Sequence, residues 1–540
     1  MKIILLQPPI RDFYDTDIRL QPLGLCMLKA AVKRHLPDVE VIVKDYHHGY
    51  GRKTIPYPGE LSYLKDYYKY HDASPFSMFH HFYHFGAGFD EIGRDVAEEA
   101  PDLVGISSLF SPYYSEALAC ANAIKGIIDV PIIMGGSHVS AAPLLMLQDP
   151  NVDYIIRGEG ERPLVEFLKA FQSGGSMKNV PNLGLKHDSK PILNPMGEPY
   201  SLEALPWADF SDLEIDRYRL HNKPLCFITT SRGCPHRCTF CSVHLTFGDQ
   251  FRTRAVEDII MEIKKRYDDG YRVFDFEDDN LTFYKEDFIS LLNRLITLFP
   301  TGDIHLVAMN GISYISLDSE ILELMKKAGF TGLNLSLVSA NDATLKRARR
   351  PHTLSKYLEI VQIAHDLGFE IVSYQILGLP YESLDDMIDT MVLMTRLPVL
   401  IGVSIFYLTP GSPIAGEFHE MTWDDIVKSR STAIAIETDQ FKRDDLYTLF
   451  ITARIINFIK GLGAGTKEIN IMEALDVAKG SGKRGVLGAD LLKNLFKEKK
   501  LYAVTGNDIR FLSHFKTDLF FRLLEKVHYI LSQGGTRIDI

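Results

Sequence analysis

The chain has few cysteines, no excess of positive charge and no long apolar run, and each shortage argues against a class of protein. Only six of its 540 residues are cysteine, and they form no disulfide framework, so a reducing, cytoplasmic location is expected. The net charge of -11 argues against a nucleic-acid partner. No run approaches the roughly 18 apolar residues of a membrane span. Only four aliphatic residues follow Met1-Lys2 before Gln7, so no secretory signal is expected.

The remaining composition is that of an ordinary globular protein. Hydrophobic residues make up 46% and charged residues 24% of the chain, which is enough apolar material for a large core. On length alone the chain is expected to form about three or four domains.

Three of the six cysteines lie together on one short stretch. Cys234, Cys238 and Cys241 are spaced C-x3-C-x2-C, and three thiolates on a tight loop suit an iron–sulfur cluster because soft sulfur ligands match iron. A four-iron cluster takes four ligands, and no fourth cysteine lies nearby, so one iron is left open for a small molecule. The alternative is a structural zinc site, with His236 or His244 as the fourth ligand.

The first 171 residues alternate between apolar strands and amphipathic helices. Strands are predicted at 2–6, 39–45, 102–108, 130–136 and 152–158, and helices between them, the first of which opens around Gly24. This alternation predicts a parallel, doubly wound sheet. Such sheets bind ligands at the carboxyl ends of their strands.

Small and polar residues gather at those predicted strand ends. Glycine there lets a flat or phosphate-bearing ligand approach the backbone, although any tight turn between strand and helix needs glycine as well. We therefore predict ligand contacts from Gly24, Ser107, Ser108, Gly135, Gly136, Ser137, His138, Gly158, Glu159 and Gly160.

Two segments interrupt or follow this domain. Residues 46–95 form an insertion rich in tyrosine, phenylalanine and histidine, in which His80 and His84 have the spacing of one helical face. We interpret it as a loop or lid that packs aromatic rings over the sheet or a ligand. Residues 172–222 contain two adjacent glycines and five prolines with weak periodicity, and are predicted to be a linker.

Strand–helix alternation returns in residues 223–420. Strands are predicted at 225–230, 272–277, 304–309, 332–337, 370–376 and 402–407. Six such units predict a partial (β/α)6 barrel, whose strand ends would face the cysteine loop. The second strand runs into the acidic residues Asp278 and Asp279; spacing alone would equally fit a surface turn and a helix cap.

Residues 421–540 are predicted to form a mainly helical domain. Helical spacing covers 432–463 and 516–532, with a hairpin around Gly506. A helix followed by a hairpin occurs in nucleic-acid readers, but more often forms a packing cap, and the basic residues here are too few for a convincing patch.

The cysteine stretch, with Phe240 directly before Cys241, strongly resembles the signature of the radical S-adenosylmethionine (SAM) enzymes. The resemblance implies a 4Fe-4S cluster on Cys234, Cys238 and Cys241, whose open iron chelates the amino and carboxylate groups of SAM. It further implies that an electron from the cluster cleaves SAM to a 5′-deoxyadenosyl radical, which abstracts a hydrogen atom from the substrate.

The same resemblance implies further SAM contacts at the barrel strand ends. The residues that match the family's positions are Phe240, Asp278, Asp279, Asn310, Ser339, Gln375 and Gly378. One departure stands out: the family commonly has a glutamate before the serine of the fourth strand, where it holds the SAM ribose, and this chain has Val338. The ribose contact therefore needs another explanation.

Residues 1–170 resemble the cobalamin-binding, Rossmann-like domain that precedes many radical SAM barrels. The resemblance rests on the series GISS, GGSH and RGEGE at the strand ends and implies that cobalamin is bound. Another branch of cobalamin proteins uses D-x-H-x-x-G, whose histidine ligates cobalt. Asp45 and His47 match its beginning, but Tyr50 replaces its glycine. We interpret the match as coincidence and predict cobalamin binding without that histidine.

Together these resemblances imply a radical SAM enzyme that methylates an unactivated carbon of a small or lipid-like metabolite, with a reductant such as flavodoxin or ferredoxin. Ring contraction, cyclisation or carbon–carbon coupling is the alternative outcome with the same parts. A tRNA methylthiotransferase would carry additional cluster cysteines in the N-terminal domain, where only Cys26 and Cys120 occur. The sequence identifies no catalytic side chain.

Overall fold

The computed structural model describes residues 1–16, 20–188, 190–299, 302–418, 420–462, 475, 476, 478 and 482–532. The chain divides into two compact units. The first comprises Met1–Pro56, Phe82–Asn310 and Leu408–Ser429, and the second comprises Tyr57–His81, Gly311–Tyr407 and Arg430–Ile540.

The strands are numbered in chain order. They are β1 (Lys2–Gln7), β2 (Ile10–Asp12), β3 (Glu40–Asp45), β4 (Arg52–Ile55), β5 (Phe82–Phe85), β6 (Leu103–Ser107), β7 (Ile132–Gly135), β8 (Tyr154–Ile156), β9 (Leu183–His187), β10 (Lys190–Leu193), β11 (Arg219–Leu220), β12 (Lys223–Ile228), β13 (Ser231–Arg232), β14 (Arg252–Thr253), β15 (Val273–Phe276), β16 (His305–Val307), β17 (Gly332–Val338), β18 (Glu370–Leu377), β19 (Leu400–Ile405), β20 (Tyr502–Thr505) and β21 (Asp508–Phe511).

The α-helices are numbered in the same way. They are α1 (Leu23–His35), α2 (Leu64–Tyr67), α3 (Phe89–Glu98), α4 (Tyr114–Lys125), α5 (Ser137–Ala141), α6 (Pro143–Gln148), α7 (Glu161–Ser173), α8 (His244–Phe247), α9 (Val256–Asp268), α10 (Lys285–Leu298), α11 (Ser319–Ala328), α12 (Asp342–Arg347), α13 (Leu354–Asp366), α14 (Leu384–Arg396), α15 (Trp423–Val427), α16 (Arg443–Gly461), α17 (Gly482–Glu498) and α18 (Thr517–Ser532).

A seven-stranded sheet forms the first part of the first unit, in the order β10-β9-β8-β7-β6-β1-β3. Five neighbouring strands of this sheet run parallel to one another, namely β8, β7, β6, β1 and β3. The apolar run that predicted β1 is buried; Ile3 and Ile4 have no exposed surface, as expected for a strand covered on both faces. The predicted doubly wound, Rossmann-like domain is confirmed.

The predicted linker is wrong for residues 183–193. There β9 and β10 form an antiparallel hairpin that extends the first sheet, with Leu183 of β9 paired to Ile156 of β8. Proline obscured this strand pair in the sequence. Pro191 lies in β10, at the edge of the sheet, where a missing backbone N–H costs no ladder hydrogen bond.

The insertion at 46–95 contains regular structure. Strand β5 pairs antiparallel with both β2 and β4, so that Phe85 lies opposite Ile10 and Arg52. Since residues 82–85 are extended, the helical face predicted for His80 and His84 is wrong. Residues 57–81 belong to the second unit and residues 82–95 to the first.

The six predicted barrel strands are confirmed as β12, β15, β16, β17, β18 and β19. Strands β12, β15 and β16 form a parallel set in the first unit, and β17, β18 and β19 form another in the second unit. Among the described residues β16 is the edge strand of its sheet. After β16 the Met309 N–H donates to Asp275 Oδ1 at 3.0 Å. This backbone N–H is therefore bonded to a side chain and not to a neighbouring strand.

The described residues of the segment 421–540 are mainly helical, as predicted, with the expected hairpin of β20 and β21. The long helix begins at Arg443 and not near residue 432; Ile434 has a positive φ of 45°, and the extended Lys442 forms the N-cap in a capping box with Asp445. Residues 463–474 lie outside the described part of the chain. Among the described residues no helix is long and apolar enough to cross a membrane.

Candidate functional site

The cysteine loop follows β13 in the first unit. Cys238 is buried, and Cys234 and Cys241 are partly exposed. The Cys241 N–H donates to the Cys238 carbonyl at 3.1 Å, and Asn280 Nδ2 lies 3.8 Å from Cys234 Sγ. Amide groups that donate to sulfur stabilise thiolates and tune the potential of iron–sulfur clusters. The donor set and its surroundings therefore fit an iron–sulfur cluster.

The zinc alternative requires four ligands that converge on one ion. In the described part of the chain no three His, Cys, Asp or Glu side chains converge closely enough to hold a single metal ion. In an iron–sulfur cluster the three cysteine side chains can lie farther apart than around a single ion, because each cysteine binds a different iron. Burial raises the pKa of the Cys241 thiol to about 11, so iron must displace this proton on binding. Phe240 is half-buried beside Cys241, and its role stays a prediction.

The stem of the cysteine loop is held by the acidic end of β15. Asp278 is buried and accepts hydrogen bonds from Thr230 Oγ1 at 2.7 Å and from Ser231 Oγ. Burial raises the pKa of Asp278, although these donors act against the shift. Through these hydrogen bonds Asp278 stabilises the stem of the cysteine loop. The predicted contact of Asp278 with SAM stays a prediction.

Asp279 lies nearer the cysteines along the same stem. Its Oδ2 accepts from the Gly233 N–H at 3.0 Å, one residue before Cys234. Burial raises the pKa of Asp279 to about 6, and the charge of Asp278 adds to the shift. Asn310, at the end of the next strand, donates to Glu277 Oε2 at 2.8 Å. These carboxylates line the strand ends where the SAM ammonium group is predicted.

The other predicted SAM contacts belong to the second unit. The Ser339 hydroxyl donates to Glu382 Oε1 at 2.6 Å. Gln375 is buried; its Nε2 donates to the Met387 carbonyl at 2.8 Å, while its Oε1 makes no hydrogen bond. The Gly378 N–H faces Met387 Sδ at 3.2 Å. Their contact with SAM stays a prediction.

The carboxyl edge of the large sheet brings the predicted cobalamin residues together in the first unit. Ser107 and Ser108 follow β6, Gly135 to His138 end β7 and open α5, and Gly158 to Gly160 follow β8. These three strands are parallel neighbours, so their loops share one edge. Gly24 lies at the start of α1, where a β-carbon would meet open space.

Two polar atoms at this edge fit a bound cofactor. His138 is almost fully buried; its Nδ1 lies 3.0 Å from Ser111 Oγ, whereas its Nε2 makes no hydrogen bond. The buried Ser108 Oγ also makes none. Burial lowers the pKa of His138 to about 4, so the ring is neutral near pH 7. Buried polar groups normally have partners, and the peripheral amides of a corrin would supply them.

The backbone at this edge requires glycine at position 136. Its φ is +117°, and a β-carbon would lie 2.5 Å from the Ser108 carbonyl oxygen. Only glycine fits such a conformation and such a close backbone approach.

The incomplete D-x-H-x-x-G pattern has a structural explanation. Asp45 at the end of β3 is buried and accepts from the His47 N–H at 2.8 Å and from Tyr218 Oη at 2.6 Å. Its Oδ2 lies 2.9 Å from His48 Nδ1. Asp45 thus fixes the turn after β3 and a segment before β12. Cobalamin binding without His47 stays a prediction.

Sequence reasoning missed an ion-pair network that includes Glu159. Arg232 Nη1 lies 2.5 Å from Glu159 Oε1, and its Nη2 pairs with Glu161 Oε1. Arg252 Nη2 lies 2.8 Å from Glu159 Oε2. The signal available in the sequence was the arginine directly before the Gly-Cys-Pro turn and the two glutamates of RGEGE.

The loop that carries the cysteines also packs against the cobalamin edge. Helix α8 begins three residues after Cys241 and packs on α5, which follows the GG pair of β7. Thr246 Oγ1 donates to Ser137 Oγ at 3.3 Å. The predicted cluster loop and the predicted cobalamin loops are therefore neighbours within the first unit.

Two family models match the chain. The radical SAM superfamily matches residues 228–394, and the B12 binding domain matches residues 77–168. The first match extends from the end of β12 through β18 into α14, and the second contains the sheet edge that carries GISS, GGSH and RGEGE.

Relatives with assigned names include several methyltransferases. An uncharacterized methyltransferase of Pyrococcus horikoshii is 28% identical over 58% of this chain and 68% of its own. Cytidylyl-2-hydroxyethylphosphonate methyltransferase of Streptomyces wedmorensis is 24% identical over 70% of this chain and 73% of its own. Hopanoid C-2 methylase of Rhodopseudomonas palustris is 25% identical over 53% of this chain and 52% of its own.

Two solved structures share the fold over most of the chain. The cobalamin-dependent SAM radical enzyme OxsB, with aqua-cobalamin and SAM bound, matches with a TM-score of 0.61 and 13% identity over 100% of this chain and 81% of its own. The radical SAM methyltransferase TsrM of Kitasatospora setae, with cobalamin and a [4Fe-4S] cluster bound, matches with a TM-score of 0.59 and 17% identity over 77% of this chain and 74% of its own. The radical SAM domain and the B12-binding domain thus occur together in one chain, and the predicted resemblance to cobalamin-binding radical SAM enzymes is confirmed.

Proposed function

We propose that this enzyme methylates an unactivated carbon of a small or lipid-like metabolite. The observation that carries the proposal is the packing of α8, which follows Cys241, on α5, which follows the GG pair of β7. When bound, the cluster and SAM supply a hydrogen-abstracting radical, and cobalamin supplies a methyl group. Methyl transfer to a substrate radical requires both cofactors at one substrate, and this packing holds their loops side by side.

The protein's contribution in this proposal is placement. Asp279 receives the ammonium group of SAM, and Ser108 and His138 hold the corrin through the two polar atoms that have no hydrogen-bond partner. No acid or base is required of a side chain, since neither hydrogen-atom abstraction nor methyl transfer to a radical needs one. Holding reactants in one geometry in place of a multi-body encounter lowers a barrier by several kcal/mol, up to about 7–11 kcal/mol.

Two of the methyltransferase relatives favour a metabolite as substrate. Two names specify what is methylated, a hopanoid in one relative and a cytidylyl phosphonate in the other, and neither is a nucleic acid or a protein. The net charge of -11 fits this class. We further infer a low-potential reductant such as flavodoxin or ferredoxin and a cytoplasmic location, since the cluster needs an electron and the six cysteines are free thiols.

The test is a product analysis under anaerobic conditions. Cluster-loaded, cobalamin-loaded enzyme would be incubated with SAM, a reductant and candidate lipid and phosphonate substrates, and products would be separated by mass spectrometry. We expect 5′-deoxyadenosine, S-adenosylhomocysteine and a product heavier by one methyl group. With SAM carrying a deuterated methyl group, the product should carry three deuteriums.

A different product pattern would overturn the proposal. If a consumed substrate gave 5′-deoxyadenosine without S-adenosylhomocysteine, the reaction would be a ring contraction, cyclisation or coupling. If S-adenosylhomocysteine formed without 5′-deoxyadenosine, the methyl acceptor would not be a carbon that needs radical activation.

A further inference from the structure

One ion-pair network joins the loop after β8 to the stem of the cysteine loop. Arg232 spans Glu159 and Glu161, which flank Gly160 at the start of α7. Arg252, paired with Arg232 across β13 and β14, takes the second oxygen of Glu159 at 2.8 Å. Tyr200 Oη donates to the second oxygen of Glu161 at 2.7 Å. Both glutamates thus have both oxygens engaged.

The network is buried and balanced in charge. The side chains of Arg232, Glu159 and Glu161 are each 8% exposed or less, and Arg252 is 12% exposed. Two guanidinium groups face two carboxylates, so the charges of these four side chains balance. Breaking one partner of such a pair leaves an uncompensated buried charge, which makes the geometry strongly coupled.

Each end of the network belongs to a different cofactor loop. Glu159 and Gly160 lie at the sheet edge predicted to hold cobalamin. Arg232 lies two residues before Cys234, and the next residue, Gly233, donates its N–H to Asp279. A shift of the loop after β8 therefore pulls directly on the residues that place the first cluster cysteine.

We propose that this network is a positioning device that couples the two cofactor sites, so that loading of the cluster tightens cobalamin binding and loading of cobalamin orders the cluster loop. Glu159 and Glu161 are then positioning residues that act through Arg232. Coupling between binding sites is reciprocal, and typical values change an affinity about 5–150-fold. The proposal depends on the presence of both cofactors but not on methyl transfer.

The experiment measures cobalamin affinity in the full chain with and without its cluster. Hydroxocobalamin would be titrated anaerobically into cluster-reconstituted and iron-free protein, with corrin absorbance and intrinsic fluorescence as readouts. We expect the cluster-loaded protein to bind at least about fivefold more tightly. In Glu159→Gln and Glu161→Gln the ratio of the two affinities should fall toward one. Arg232→Lys keeps the charge but loses the two-armed geometry, and its ratio should be intermediate.

The matched control is Asp445→Asn on α16 in the second unit. It removes the ion pair of another buried carboxylate, in which Lys516 Nζ lies 2.8 Å from Asp445 Oδ1, and its affinity ratio should equal that of the natural chain. A second readout is the electron paramagnetic resonance spectrum of the reduced cluster. Addition of cobalamin should change its line shape in the natural chain and in Asp445→Asn, but not in Glu159→Gln.

Three outcomes would overturn the coupling. The first is a ratio near one in the natural chain. The second is a weaker cobalamin affinity of Glu159→Gln in both forms with the ratio preserved, which would make Glu159 a direct cobalamin contact. The third is an equal loss of the ratio in Asp445→Asn, which would reflect general destabilisation. Circular dichroism of each variant checks that it folds, and methyl-transfer activity does not enter the comparison.

Discussion

The Ser339 hydroxyl donates a 2.6 Å hydrogen bond to Glu382 in the second unit. Glu382 has no exposed surface, and its second oxygen makes no hydrogen bond. The glutamate that the family commonly carries before this serine is Val338 here, with a positive φ of 70°. A carboxyl group is thus still present at Ser339, supplied by the segment after β18 and not by β17.

Glu382 should make stability depend on pH. Burial raises the pKa of this carboxyl to about 8, while in the unfolded chain it titrates at its ordinary value. Between about pH 4.5 and pH 8 the folded state therefore holds a proton that the unfolded state releases, so stability falls as pH rises. Glu382→Gln has no carboxyl group at this position and therefore lacks this contribution to the pH dependence of stability. As pH rises from 5 to 8, the free energy of unfolding of the natural chain should therefore fall by about 1–3 kcal/mol relative to that of the variant.

Urea denaturation at several pH values checks this. Glu323→Gln, an exposed residue on α11, is the control and should keep the slope of the natural chain. Parallel slopes for the natural chain and Glu382→Gln would show that the buried carboxyl does not hold its proton.

The cysteine triplet predicts a sharp division among the six cysteines. Replacement of Cys234, Cys238 or Cys241 by alanine should remove the brown chromophore and reductive cleavage of SAM, because each thiolate holds one iron. Cys120→Ala is the control; this thiol is buried in the large-sheet domain and its loss should leave both properties intact. Iron content and visible absorbance after anaerobic reconstitution measure the effect, and intact iron in a triple variant would contradict the assignment.

The neighbouring carboxylates Asp278 and Asp279 should separate into two roles. Asp278→Asn replaces an acceptor that three donor groups of Thr230 and Ser231 point at, so it should cost about 1–3 kcal/mol of stability. Asp279→Asn loses a charge opposite the predicted SAM ammonium group, so it should weaken SAM binding about tenfold or more. Urea denaturation and equilibrium binding of SAM to the cluster-loaded protein measure the two effects. The same loss of SAM affinity in both variants would contradict the division.

The strands and the cysteine loop could be predicted from the sequence because their signals are local. A run such as Ile3 to Leu6 indicates burial on both faces, and the spacing C-x3-C-x2-C by itself places three thiols on one short loop. The partners of Glu159 could not be predicted, since Arg232 lies 73 residues away and its pairing depends on how the sheet domain meets the stem of the cysteine loop. The hairpin of β9 and β10 was missed for another reason: Pro191 is typical of a linker, yet an edge strand tolerates it.

His138 should hold cobalamin without ligating cobalt. Its neutral ring has one nitrogen near Ser111 and one buried nitrogen without a hydrogen-bond partner, and satisfying that atom with a corrin amide is worth roughly 1–1.5 kcal/mol. His138→Gln should therefore weaken cobalamin binding about tenfold, whereas His187→Gln, an exposed residue of β9, should leave the affinity unchanged. Both variants and the natural chain would be reconstituted anaerobically and examined as cobalt(II) by electron paramagnetic resonance. No nitrogen splitting from a protein imidazole is expected in any of them, because the partner of His138 is predicted to be the edge of the corrin and not its metal. Splitting that is present in the natural chain and lost in His138→Gln would make His138 the axial ligand, and absence of corrin uptake by the natural chain would exclude cobalamin altogether.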